Sequence, residues 1–112
     1  MISPKFVNIA REVIKFIQNG GRLGRVEIYK DGKYCPLGAV CINAKLKYNA
    51  NEDAWYDYAL SKTGLRHSFY SGFDRYGRKN DEKLTEDELS LGEEDFQIGY
   101  RLAEFCSKRD WL

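Results

Sequence analysis

Hydrophobic positions recur at intervals of three and four from the start of the chain. Phe6, Ile9, Ala10, Val13, Ile14 and Ile17 form one apolar stripe, the pattern of an amphipathic helix. Ser3-Pro4 marks its start: a serine hydroxyl can accept from an early backbone N–H, and a proline at the first helical position lacks a donor that would otherwise go unbonded. Gly20-Gly21 ends it, so the spacing predicts a helix over 4–19. The period then changes. Leu23, Val26, Ile28, Tyr29 and Tyr34 surround Asp31-Gly32, a dipeptide suited to the left-handed positions of a tight hairpin turn. Strands over 24–30 and 33–35 are predicted, and they must lie against helices because a lone hairpin is marginal in water.

Cys35-Pro36 repeats the cap-and-proline start, and Leu37, Val40, Cys41, Ala44 and Leu46 carry a second helix. Gly38-Ala39 on its first turn are small enough to let another backbone come close. A third helix is predicted over 52–62 with Trp55, Tyr58, Ala59 and Leu60, closed by Gly64. Residues 65–84 keep no period; Gly72 and Gly77 interrupt them, and they read as loop with one helical turn at most. Thr85–Glu88 and Ser90–Glu93 both have capping-box spacing. The second box opens a last helix over 92–108, with Phe96, Gly99, Tyr100, Leu102, Ala103 and Cys106 facing inward and Trp111 and Leu112 packing down. The fold class is α+β, mainly helical: about four helices with one short two-stranded β-hairpin between helices 1 and 2, in a single domain over 1–112.

Composition narrows the function classes. At 112 residues with 43% hydrophobic and 31% charged positions, the chain can bury roughly two-thirds of its unfolded surface, enough for one core. No apolar stretch approaches the ~18 residues of a membrane span, and the N-terminus does not read as a signal peptide. A cytoplasmic protein with no membrane partner is expected. Cys35, Cys41 and Cys106 are an odd count without metal-ligand spacing, and His67 is the only histidine. Buried thiols in a reducing compartment are therefore expected, with no metal and no cofactor.

The net charge of +1 hides a polar distribution. Residues 1–48 hold nine basic against three acidic residues, whereas residues 81–112 hold four against ten. Such asymmetry suits one face to anions and another to cations; it is equally compatible with mutual neutralisation in the fold or in a homodimer.

Three groups of residues are candidate sites. Cys35 at a helix N-cap would have its thiol pKa lowered by the unbonded N–H groups and the helix dipole. With His67 as base and Asn80 or Asp81 as orienter it would make a cysteine-dependent hydrolase or transferase; the competing reading is a small buried residue that starts a helix. The second group runs from Arg66 to Lys79. There Arg66, His67, Tyr70, Phe73, Arg75, Tyr76, Arg78 and Lys79 interleave cations with aromatic faces, as in sites that stack bases and meet phosphates. Gly72 and Gly77 would let the loop close on a nucleotide, with help from Arg22 and Arg25 if the hairpin lies beside it. The competing reading is an ordered loop whose aromatics complete the core. The third group is the acidic stretch Asp81, Glu82, Glu86, Asp87, Glu88, Glu93, Glu94 and Asp95: centred on Glu86, Asp87, Glu93 and Glu94 it could occupy a partner's basic groove, or it could simply stabilise two helix starts.

The hairpin ending in Gly32-Lys33-Tyr34-Cys35-Pro36-Leu37-Gly38-Ala39, with a late Asn80-Asp81 before an acidic capped helix, resembles a family of small phage and bacterial proteins of unknown function. That family has a similar Asp-Gly…Cys-x-x-Gly-Ala core followed by a helix and an Asn-Asp turn. The resemblance implies a phage or prophage setting and assigns no catalytic residues. Together these observations lead to the expectation of a small non-enzymatic binding protein that inhibits or sequesters a host defence component, such as a nuclease complex or a nucleotide signal. The cysteine enzyme and a nucleic-acid-binding module are the alternatives.

Overall fold

Helix α1 (Pro4–Gln18) begins where the Ser3-Pro4 pair puts it, with the Ser3 hydroxyl accepting from the Lys5 N–H at 3.2 Å. In the computed structural model, which describes residues 3–25, 28–47, 52–76 and 94–112, it is followed by β1 (Tyr29–Lys30), β2 (Lys33–Tyr34), α2 (Pro36–Asn43), α3 (Glu52–Thr63), α4 (His67–Arg75) and α5 (Glu94–Ser107). The fold is mainly helical α+β with the hairpin between α1 and α2. Five helices stand among the described residues, one more than the sequence pattern predicts. The capping boxes at 85–88 and 90–93, and Asn80-Asp81, lie outside the described residues.

The hairpin turns at Asp31 (φ 53°) and Gly32 (φ 80°), with Tyr29 opposite Tyr34 and Lys30 opposite Lys33. Its strands are shorter than predicted. Tyr34 also forms a parallel bridge to Leu23: its N–H donates to the Arg22 carbonyl at 2.9 Å and its carbonyl accepts from the Gly24 N–H at 2.9 Å. Helix α2 sits directly on this unit. The Cys35 N–H donates to the Ile28 carbonyl at 3.2 Å, and a Cβ on Gly38 would stand 2.5 Å from that same oxygen. The small residue on the first turn of α2 is what admits this approach.

Buried residues from all five helices, with Leu23 and Ile28 beside the hairpin, form one apolar cluster that includes Ile9, Val13, Leu37, Trp55, Phe69 and Leu102, and Tyr29 and Tyr34 of the hairpin pack half-buried against it. The inward face of α1 is rotated from the predicted stripe. Phe16 is buried, held edge-on to Tyr34 with centroids 5.7 Å apart, while Phe6, Ile14 and Ile17 are only half-buried. On α5, Asp95 and Ile98 are buried where Phe96 and Tyr100 were expected. Trp111 does pack down, its ring 6.0 Å from that of Phe105.

The largest correction falls on residues 65–84. His67–Arg75 is a regular helix, with Phe69, Gly72 and Phe73 on its buried side. Neither Gly72 nor its partner Gly99 is a hinge. A Cβ on Gly72 would run into the Phe96 carbonyl, and one on Gly99 into the Phe69 carbonyl. The two glycines let the backbones of α4 and α5 meet, and this is the most extensive helix pair among the described residues. No helix among the described residues is long and apolar enough to cross a membrane.

Candidate functional site

The site builds outward from the start of α4. Gly64 (φ 71°) closes α3, and Leu65 is buried behind it. The Arg66 N–H then donates to Asp95 Oδ2 at 2.7 Å, while Lys5 Nζ stands 3.2 Å from Oδ1. Asp95 is only 3% exposed, so this single carboxylate ties the first turns of α1, α4 and α5 together. With its inner face locked to α5, α4 turns Arg66 and His67 to solvent and leaves Tyr70 half-buried. Tyr56 of α3 reaches across to them. Its ring centroid lies 6.0 Å from that of His67 and 5.9 Å from that of Tyr70, the latter pair edge-to-face. Tyr56, His67 and Tyr70 thus form a contiguous aromatic surface beside a cation.

The other end of α4 is a separate corner. Arg25 Nη1 donates to the Tyr76 carbonyl at 2.6 Å, and its guanidinium lies 6.0 Å from the Tyr76 ring, which meets Tyr100 edge-on at 5.2 Å. The segment leading into the hairpin therefore does lie beside the end of this stretch, as the participation of Arg25 requires. Arg22 lies elsewhere, on a cleft shared with α1 and α2. Arg66 and Arg75 are separated by about 13 Å of helix at 1.5 Å per residue. They do not converge on one phosphate.

Phe73 is removed from the candidate surface. It is 1% exposed and packs on Phe69, centroids 6.3 Å apart, so no ligand can reach its ring. With Gly72 locked in the helix pair, a loop closing on a ligand is also corrected: the segment from His67 to Arg75 is rigid helix. Arg78 and Lys79 lie outside the described residues.

Cys35 is the N-cap of α2, but its side chain makes no cap bond and is fully buried. A thiol with no solvent-facing surface offers nothing for a substrate to reach, and His67 is on the exposed side of α4. All three cysteines are thiols. Cys41 Sγ donates to the Trp55 carbonyl at 3.3 Å, and its pKa is pushed up to about 12, first by burial and then by the nearby Cys35. Burial pushes Cys106 up to about 12 as well, with Arg109 pulling slightly the other way. Such thiols stay protonated and unreactive. Among the described residues, no group of His, Cys, Asp or Glu is placed to hold a metal ion.

Of the acidic group, Glu94 and Asp95 are described. Asp95 is buried and paired with the Arg66 N–H and Lys5, whereas Glu94 is exposed, and its Oε1 accepts from the Ser3 hydroxyl at 3.0 Å; the residues from Asp81 to Glu93 lie outside the described residues. Sequence reasoning missed Tyr56, and it placed Asp95 in the acidic stretch without its anchoring role. Tyr56 sits in a helix with no strong apolar face, so nothing in its spacing marks it as a neighbour of His67. Asp95 looks like one more carboxylate in the first turn of a helix; only the approach of α1 and α4 buries it. No family model, curated protein or solved structure matches the chain.

Proposed function

We propose that the protein is a non-enzymatic binding protein, phage-encoded as its resemblance implies, that engages and inhibits a host protein through the outer face of α4. The observation that supports this reading is the cluster of Tyr56, His67 and Tyr70 beside Arg66, carried on a helix whose back is locked to α5. Tyrosine and arginine dominate the energetics of protein interfaces because they bring large contact area and directed polar groups. A rigid support adds to this, since little conformational freedom remains to be lost on binding. The separation of Arg66 from Arg75 favours an extended partner over a nucleotide gripped at a single phosphate. A partner surface with carboxylates opposite Arg66 fits the sign of the charge there.

The test compares retention of host proteins by the wild-type chain and by the double variant Arg66→Ala/Tyr70→Ala. A true contact face loses affinity by at least about a hundredfold, since two interface anchors are each worth roughly 2 kcal/mol. Equal retention by both chains would remove α4 from the interface. A nucleotide bound by the wild type in place of any host protein would move the reading to a nucleotide signal.

A further inference from the structure

We propose that the outer face of the hairpin is a binding surface for the phosphodiester backbone of a nucleic acid. The hairpin has two unlike faces. Tyr29 and Tyr34 pair across it on the inner side and are half-buried, whereas Lys30 and Lys33 pair on the outer side and are exposed. A third extended segment adds a cation to that side. Leu23 bridges Tyr34 in parallel and is buried in the core, so Arg22 and Gly24, one position either way, alternate to the outer face. A Cβ on Gly24 would stand 2.8 Å from the Lys33 Cβ, which puts Gly24 and Lys33 on the same side. Arg22, Lys33 and Lys30 therefore come from three neighbouring extended segments, spanning about 10 Å at the usual ~4.8 Å between strands.

Like charges directly opposite one another destabilise a strand pair, and nothing here relieves that cost. Among the described residues, no side chain forms an ion pair or hydrogen bond with the side chain of Arg22, Lys30 or Lys33. A lysine on an edge strand guards against strand addition; this accounts for Lys30 on β1 but not for Lys33, which has a neighbour on each side. The charge balance suits an anion. Residues 22–34 hold Arg22, Arg25, Lys30 and Lys33 against Glu27 and Asp31, a net +2. The adjoining cleft leaves that balance unchanged: its Lys15 and Lys45 are offset by Glu12, bonded to Asn43, and by the carbonyl ends of α1 and α2. The face favours nucleic acid over an acidic protein. Gly24 and Gly32 stand beside the cations where a protein interface places apolar anchors, whereas cations alone hold a phosphate backbone by releasing its counterions. This surface is independent of the α4 face.

The test is the salt dependence of binding, read by fluorescence anisotropy of a short labelled DNA duplex, and of one of its strands alone, with the full chain. Three phosphate contacts predict a logarithmic slope of about −2.7 on the duplex, an affinity loss of about fortyfold from about 50 to 200 mM salt. On the single strand the slope is about −2.1, and the tighter of the two identifies the form of backbone recognised. Lys30→Gln/Lys33→Gln reduces the duplex slope to about −0.9 and weakens binding at the lower salt at least about tenfold. The same variant keeps or raises the melting temperature, because the opposed charges are gone. Lys62→Gln/Lys108→Gln, which removes the same charge from exposed positions elsewhere, keeps the steep slope. No saturable binding at the lower salt overturns the proposal, as does an unchanged slope in the hairpin variant or an equal loss in the control. A lowered melting temperature in the hairpin variant also overturns it, since the lysines would then be holding the hairpin together. Binding of poly-glutamate as tight as that of the duplex overturns it in favour of an acidic protein.

Discussion

Gly72 and Gly99 show how much of this molecule rests on single atoms that are not there. Each faces the carbonyl of a residue on the opposite helix, Phe96 or Phe69, and a methyl group at either position meets backbone that cannot swing aside. An alanine in a helix gains about 1 kcal/mol of propensity over glycine, but overpacking costs typically 1–3 kcal/mol and a backbone clash lies at the upper end. Gly99→Ala will therefore destabilise the protein by about 2 kcal/mol, lowering the melting temperature by about 8 °C. An unchanged or raised melting temperature would mean that the two helices are not in contact there. The thiols make a second residue-scale case. Cys41 and Cys106 hold their protons up to about pH 12 in the folded state, against 9.0 for an ordinary thiol. Between those values the folded protein binds more protons than the unfolded chain, so stability falls as pH rises from 9 towards 12 and is unaffected by these groups below 9. Iodoacetamide at pH 8 will label both thiols only as fast as the protein opens; rapid labelling of the folded chain would contradict their burial.

At the scale of elements, α4 owes its position to a group outside itself. Its first turn has no acidic residue and no side-chain cap from its own N-cap residue, Arg66. The buried carboxylate of Asp95 takes that role from α5, accepting from the Arg66 N–H and pairing with Lys5. Removing it leaves a helix-start donor and a partly buried ammonium without their acceptor. Asp95→Ala will cost about 2–3 kcal/mol, below the figure for a fully buried pair because Lys5 is 38% exposed. Asp95→Asn, which keeps an acceptor for Arg66, will cost roughly half as much. Urea midpoints at constant slope measure both, and equal loss in the two variants would show that the ion pair with Lys5 outweighs the cap. This arrangement also explains why α4 was not legible in the sequence. Its glycine at position 72 and its lack of a local cap are loop signals, and both are reversed by a neighbour that arrives only in the tertiary fold.

Over the whole molecule, α1, α2, α3 and the hairpin pack together on one side and α4 with α5 on the other. The halves are joined by a few specific contacts: Lys5 and Arg66 on Asp95, Arg25 on Tyr76, Tyr56 against His67 and Tyr70, and Phe6 edge-on to Phe105 at 6.2 Å. The proposed α4 surface depends on elements brought together from distant parts of the chain. The amino-acid sequence by itself determined the elements whose signals are local. Ser3-Pro4 and Gly20-Gly21 bound α1, Asp31-Gly32 turns the hairpin, Cys35-Pro36 starts α2 and Gly64 closes α3, because capping and left-handed turns are decided within a few residues. It also marked Arg66, His67 and Tyr70 as a basic and aromatic group. Only the tertiary structure decided that Phe73 belongs to the core, that Tyr56 joins His67, that Asp95 is an anchor rather than part of an acidic surface, and that Lys15, Arg22 and Lys45 meet around one cleft. Those outcomes depend on how two helices approach each other. That approach is set by volume at Gly72 and Gly99 and by burial, neither of which a residue can express through its neighbours in the chain.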